Sequence, residues 1–197
     1  MKNGYINQQD LQNWKRFLRD NNNKTGIFHF LADWLSEADM PCLVIVTKEE
    51  DVCCNRVIAL EDLAPCTQEE ADPHIFVHAR HAAKDGSKAL MIKANDMDVV
   101  VIAIFVMKSL NEPGRLEKRW IAFGRGGNLR LIPLHTVVNT IGPEKASGLP
   151  FFHAFTGCDT VSAFHGKGKK SAWQTWNVCK EASTTFTKLT QSVCDSS

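Results

Sequence analysis

No CxxC pair, no repeat period and no low-complexity tract occur in the 197 residues, and each absence removes a class of protein. Without paired spacing, none of the seven cysteines (42, 53, 54, 66, 158, 179 and 194) reads as part of a structural zinc site. Their odd number, with no charged-then-apolar leader after Met1, predicts reduced thiols in a cytosolic or nuclear protein. Without a repeat period, a solenoid drops out; without biased tracts, so does a disordered chain. Long apolar runs are missing as well. The longest, residues 99–107, is too short to span a bilayer, so no membrane is expected.

What is present is ordinary globular material, 44% hydrophobic and 23% charged, in a length that suits one domain with ragged ends. The net charge of +1 hides an asymmetry. Residues 1–100 hold 11 Lys/Arg against 16 Asp/Glu, net −5, while residues 101–197 hold 12 against 6, net +6. An acidic half followed by a basic half is what a cation site beside a polyanion-holding surface requires, although chance produces the same split about as often.

Apolar residues recur at helical spacing over 10–19 and 26–35, with the polar stretch Asn21, Asn22, Asn23, Lys24 as a break between two helices. Residues 43–47 (LVIVT) form a β-branched run that reads as a buried strand, and 53–55 and 61–67 read as connection. A helix is expected from Thr67, with Glu69 and Glu70 in its first turn, to about Asp85 before Gly86. Residues 88–94 (KALMIKA) read as a second strand, and 99–107 fit either a strand or a buried helix. The runs 120–123 and 129–134, joined by Gly124 to Asn128, predict a hairpin; helices follow near 135–141, near 149–156 and from 169. Strands alternating with helices predict an α/β domain with a mainly parallel sheet.

In open α/β sheets ligands bind where strands give way to loops, so acidic residues at such points are weighed first. Three groups qualify: Glu70 with Asp72 at a helix start, Asp96 with Asp98 after KALMIKA, and Asp159 beside Gly157. An extended backbone would turn Asp96 and Asp98 to the same side. Clustered carboxylates repel one another unless a cation neutralises them, and hard ions such as Mg²⁺ or Mn²⁺ take oxygen ligands. The plain structural account is that each group is a helix cap or turn, roles in which Asp is common.

Taken in order, these motifs resemble the flap-endonuclease branch of the PIN-like nucleases. Ala64-Pro65 followed by Glu70-Ala71-Asp72 is similar to that family's Glu-x-Glu helix, with Asp in the second place. Asp96-Met97-Asp98 matches its Asp-x-Asp, and Gly157-Cys158-Asp159 its Gly-x-Asp-Tyr, with Thr160 for the tyrosine. Gly166-Lys167-Gly168-Lys169-Lys170-Ser171-Ala172 resembles its helix-hairpin-helix loop, where glycines let backbone N–H groups approach phosphate. The likeness covers residues 40–180. A second resemblance, through LPFFHAFTGCDTVSAFHGKGKK and QEEAD, is to uncharacterised multi-copy invertebrate proteins, with association to mobile elements as an expectation and no activity attached.

The resemblance implies a PIN-like three-layer sandwich over residues 41–160. N-terminal helices at 1–40, a helix-hairpin-helix-like segment at 161–185 and a disordered tail at 186–197 complete the expected layout. It implies a structure-specific, two-metal-ion nuclease holding Mg²⁺ or Mn²⁺ on Glu70, Asp72, Asp96, Asp98 and Asp159. Of these, Asp96, Asp98 and Asp159 would be catalytic, while Gly166, Lys167, Gly168, Lys169 and Lys170 would hold nucleic acid, DNA before RNA. The chain departs from the family in lacking aspartates at the ends of its first strands: Asp10, Asp20, Asp33 and Asp39 follow no apolar strand, and LVIVT ends in Thr47. The first strand is thus expected to be missing. A remnant, or a non-catalytic nucleic-acid- or protein-binding module on the same fold, is the alternative.

Three smaller features have two readings each. His74, His78 and His81 at i, i+4 and i+7 could ligate zinc, but a partly exposed helix face is favoured about four to one. Cys158, with His153 and His165 nearby, could be a nucleophile but is better read as a small buried thiol. Trp173 and Trp176 could stack on bases, yet at i, i+3 they more often face a core.

Overall fold

A computed structural model describes residues 8–64, 71–106, 116–158, 166 and 168–194. The chain divides into two compact units, residues 1–69 and 70–197.

In the first unit, α1 (Gln8–Phe17) and α2 (Asn21–Glu37) precede a hairpin of β1 (Ile45–Lys48) and β2 (Asp51–Cys54). The expected break at 21–24 is the opening turn of α2, because the Asp20 side chain accepts a hydrogen bond from the Asn22 backbone N–H at 2.9 Å and caps the helix. The LVIVT run does not enter a parallel sheet here. It pairs antiparallel with β2, Ile45 opposite Cys54 and Lys48 opposite Asp51, so that the segment read as connection is itself a strand. Two residues close the turn, with Glu49 at a left-handed φ of 55°. Asn55 ties the open end, its amide oxygen accepting from the Val44 N–H at 2.9 Å and its nitrogen donating to the Cys42 carbonyl at 3.1 Å. Lys48 from β1 meets Asp33 of α2 at 2.6 Å, which commits one of the N-terminal aspartates to a surface ion pair.

The second unit is α/β. After α3 (Ala71–Lys84), β3 (Ala89–Ala94) leads into α4 (Met97–Val106) and on to β4 (Lys118–Phe123), which lies parallel to β3 with Ala94 opposite Phe123. The hairpin foreseen at 120–134 is present, β5 (Arg130–Pro133) pairing antiparallel with β4. Among the described residues the sheet order is β3-β4-β5, one parallel and one antiparallel pairing. The 99–107 run is a helix over its described part, residues 99–106. Asp96 starts it, and Val99, Val100, Val101, Ala103 and Ile104 are all buried, so no polar face exists to reveal a period. Val99, Val100, Ala103 and Ile104 pack with Ile92, Ala94, Ile121, Leu134 and Ala146, and Ile121 is wholly enclosed.

Four helices follow: α5 (Leu134–Ile141), α6 (Pro143–Phe155), α7 (Lys169–Val178) and α8 (Lys180–Cys194). Pro143 opens α6, where its missing N–H costs nothing. The stretch expected to be a disordered tail continues α8 as far as Cys194. Phe152, Trp173, Trp176 and Phe186 join α6, α7 and α8. The Phe152 and Trp176 rings stack at 4.7 Å, the Trp176 and Phe186 rings meet edge-on at 5.1 Å, and the Trp176 indole N–H donates to Ser183 at 3.0 Å. Trp176 is buried and Trp173 half-buried, which supports the core reading of both.

Candidate functional site

Because β3 and β4 are parallel, their carboxyl ends share one edge of the sheet, and the chain turns from β3 into α4 at that edge. Asp96 and Asp98 stand there. They do not share an extended strand, since the backbone becomes helical at Met97. The Asp98 N–H donates to Asp96 Oδ1 at 2.9 Å, an N-cap bond, and Asp98 lies in the first turn of α4, where the helix dipole favours negative charge.

The neighbouring loop is drawn to the same edge. Lys93 donates to the Ala122 carbonyl at 3.3 Å and to the Gly124 carbonyl. Asn95, with its amide oxygen toward Arg125, accepts from Arg125 Nε at 3.0 Å and Nη2 at 3.2 Å and donates to Gly124 at 3.1 Å. Gly124 has φ 90°, and a Cβ there would stand 2.6 Å from the Asn128 carbonyl oxygen, so this turn requires glycine. The result is a guanidinium held beside the β3–α4 junction.

From the helical side comes His153, in the last turn of α6. Its Nε2 lies 2.7 Å from Asp98 Oδ1, with the imidazole 13% and the carboxylate 35% exposed. Lys169, at the start of α7, donates to His153 Nδ1 at 3.3 Å, to the His153 carbonyl at 3.0 Å and to Thr156 Oγ1 at 3.1 Å. Three N–H groups thus meet three acceptors, two of them at the carboxyl end of α6, where a cation is favoured.

The expected site residues divide as follows. Asp96 and Asp98 are adjacent at the sheet edge; Asp72 lies in the opening turn of α3, its side chain outside the described residues, as are Glu70, Asp159 and Lys167. Gly166 adopts φ 71°, a left-handed conformation suited to glycine, and Gly168 precedes α7, its carbonyl accepting from the Ala172 N–H at 3.1 Å. Lys169 and Lys170 are exposed, but the Lys169 ammonium is committed to α6. The sequence named His153 only as a possible neighbour of Cys158. Both its ring nitrogens are engaged, so it does not activate that half-buried thiol. Its pairing with Asp98 across 55 positions, like that of Asn95 with Arg125, leaves no local signal.

Asp96 and Asp98 offer the oxygen donors that a hard divalent ion takes, but two carboxylates are only part of a donor set. Among the described residues no group of three or more His, Cys, Asp or Glu side chains could hold a metal. That includes His74, His78 and His81 on α3. The His78 pKa is lowered, first by burial and then by repulsion from the other two imidazoles. No described helix is long and apolar enough to cross a membrane. Compared with known proteins, the chain matches no family model, no curated protein and no solved structure.

Proposed function

We propose that the chain is a PIN-like, flap-endonuclease-type domain: a metal-dependent, structure-specific nuclease, or an incomplete remnant of one. The observation that carries the reading is the position of Asp96 and Asp98, side by side at the carboxyl edge of a parallel strand pair and at a helix N-terminus. Nearby, the Arg125 guanidinium, held by Asn95, is a cation suited to a polyanion. On this reading Asp96 and Asp98, together with Glu70, Asp72 and Asp159, would hold Mg²⁺ or Mn²⁺ ions, which would supply an activated water and charge stabilisation for hydrolysis of a phosphodiester. The glycine-lysine loop at 166–170 receives nucleic acid, DNA before RNA, with Lys170 as an exposed cation.

A second reading, a non-catalytic nucleic-acid- or protein-binding module on the same fold, has its own support. The only described strands of the first unit form an antiparallel hairpin, and its first strand ends in Lys48 where the family's pattern has an aspartate.

Incubation with branched DNA and Mn²⁺ separates them. The nuclease reading expects metal-dependent cleavage that Asp98→Ala and Asp159→Ala abolish. Absence of cleavage, or cleavage indifferent to both substitutions, removes it; DNA binding that survives both then favours the binding module.

A further inference from the structure

Lysine has only donors, so the 3.3 Å contact from the Lys169 ammonium obliges His153 Nδ1 to be an acceptor. The ring proton must then sit on Nε2, the atom 2.7 Å from Asp98 Oδ1, and the imidazole donates to the carboxylate. A ring protonated on both nitrogens would set two donors against each other at Nδ1. Lys169 is itself held by the His153 carbonyl and by Thr156, whose hydroxyl donates to the Phe152 carbonyl at 2.7 Å, so the chain of bonds is anchored in the α6 backbone. Asp98 is therefore gripped through one oxygen by a mostly buried donor whose tautomer and orientation are set from behind.

From this we infer that His153 is a positioning residue for Asp98: the Nε2–H restrains Oδ1, leaving the second oxygen of a one-third-exposed carboxylate as the donor to a divalent cation. Carboxylate ligands are commonly oriented in this way by an outer hydrogen bond, and losing such a partner typically weakens metal affinity by about 10–100-fold. Lys169 takes a new role in consequence. It fixes the tautomer and caps α6, so that its ammonium is taken up by those acceptors and not by phosphate. This inference rests on the proposed metal site at Asp98.

The test is Mn²⁺ binding to the full chain, read as loss of the free-ion paramagnetic resonance signal, with thermal unfolding followed alongside. Asp98→Asn examines the underlying site: binding unchanged by it removes the metal reading altogether. If Asp98→Asn weakens binding, His153→Ala is expected to weaken it about tenfold, and His153→Gln, which returns an N–H near the Nε2 position, to restore most of it. Should the alanine variant not fold, His153→Leu fills the space without a donor and carries the same expectation. Parental affinity in the alanine or leucine variant overturns the inference while leaving the site standing. Equal weakening by alanine, leucine and glutamine also overturns it, since the role would then be packing and not donation.

Discussion

Gly148 of α6 and Phe186 of α8 approach so closely that a Cβ on the glycine would stand 2.9 Å from the Phe186 Cβ and 3.3 Å from the Thr187 backbone nitrogen. Neither atom is the free end of a flexible side chain, so a substituent at 148 must part the two helices. In doing so it would disturb the Phe152, Trp176 and Phe186 cluster beside it.

Gly148→Ala therefore sets two effects against each other. Alanine gains up to about 1 kcal/mol over glycine in a helix, while forcing a methyl group into a filled contact costs about 1–3 kcal/mol. The expected outcome is a net loss, larger for Gly148→Val, measured by urea unfolding monitored through tryptophan fluorescence. An alanine variant more stable than the parent would show that α6 and α8 separate freely.

Asp96 distinguishes a cap from a ligand. Its Oδ1 accepts from the Asp98 N–H at 2.9 Å, and asparagine caps a helix as well as aspartate does. Asp96→Asn is expected to leave stability within about 0.5 kcal/mol of the parent, whereas Asp96→Ala costs about 1 kcal/mol. If Asp96 also serves a divalent ion, the asparagine variant loses Mn²⁺ affinity at unchanged stability. Equal Mn²⁺ affinity in parent and asparagine variant would leave Asp96 as a cap alone.

His78 gives the fold a pH dependence of known sign. Burial, and then His74 and His81, lower its pKa in the folded state below the ordinary histidine value, so the unfolded chain binds the proton more readily. The stability this contributes is complete above the unfolded pKa of about 6.5 and is lost as pH falls from there toward the folded pKa. The melting temperature should drop between pH 7.5 and 5.5, and His78→Gln should flatten that drop. An identical pH profile in the variant would assign the effect to other groups.

Much of the second unit was legible because its signals are local. KALMIKA alternates buried and exposed side chains and is β3, while the Gly124 to Asn128 stretch contains the tight turn that joins β4 to β5. The 99–107 run was not legible, since a helix apolar on every side carries no period, and its state was decided by Asp96 capping it and by the core that surrounds it. LVIVT was legible as a strand, but its pairing was not. A short apolar run specifies an extended strand but not its partner, and that partner, β2, includes Cys53 and Cys54, which read as connection.

The site divides along the same line. From the sequence alone came the acidic residues, their i, i+2 spacing and the glycine-lysine loop, all properties of contiguous residues. Only the tertiary structure could decide that Asp98 is held by His153, and His153 in turn by Lys169. Those partners are brought together by the packing of α4, α6 and α7, and a hydrogen bond between residues 55 positions apart depends on how helices meet, which no local pattern encodes.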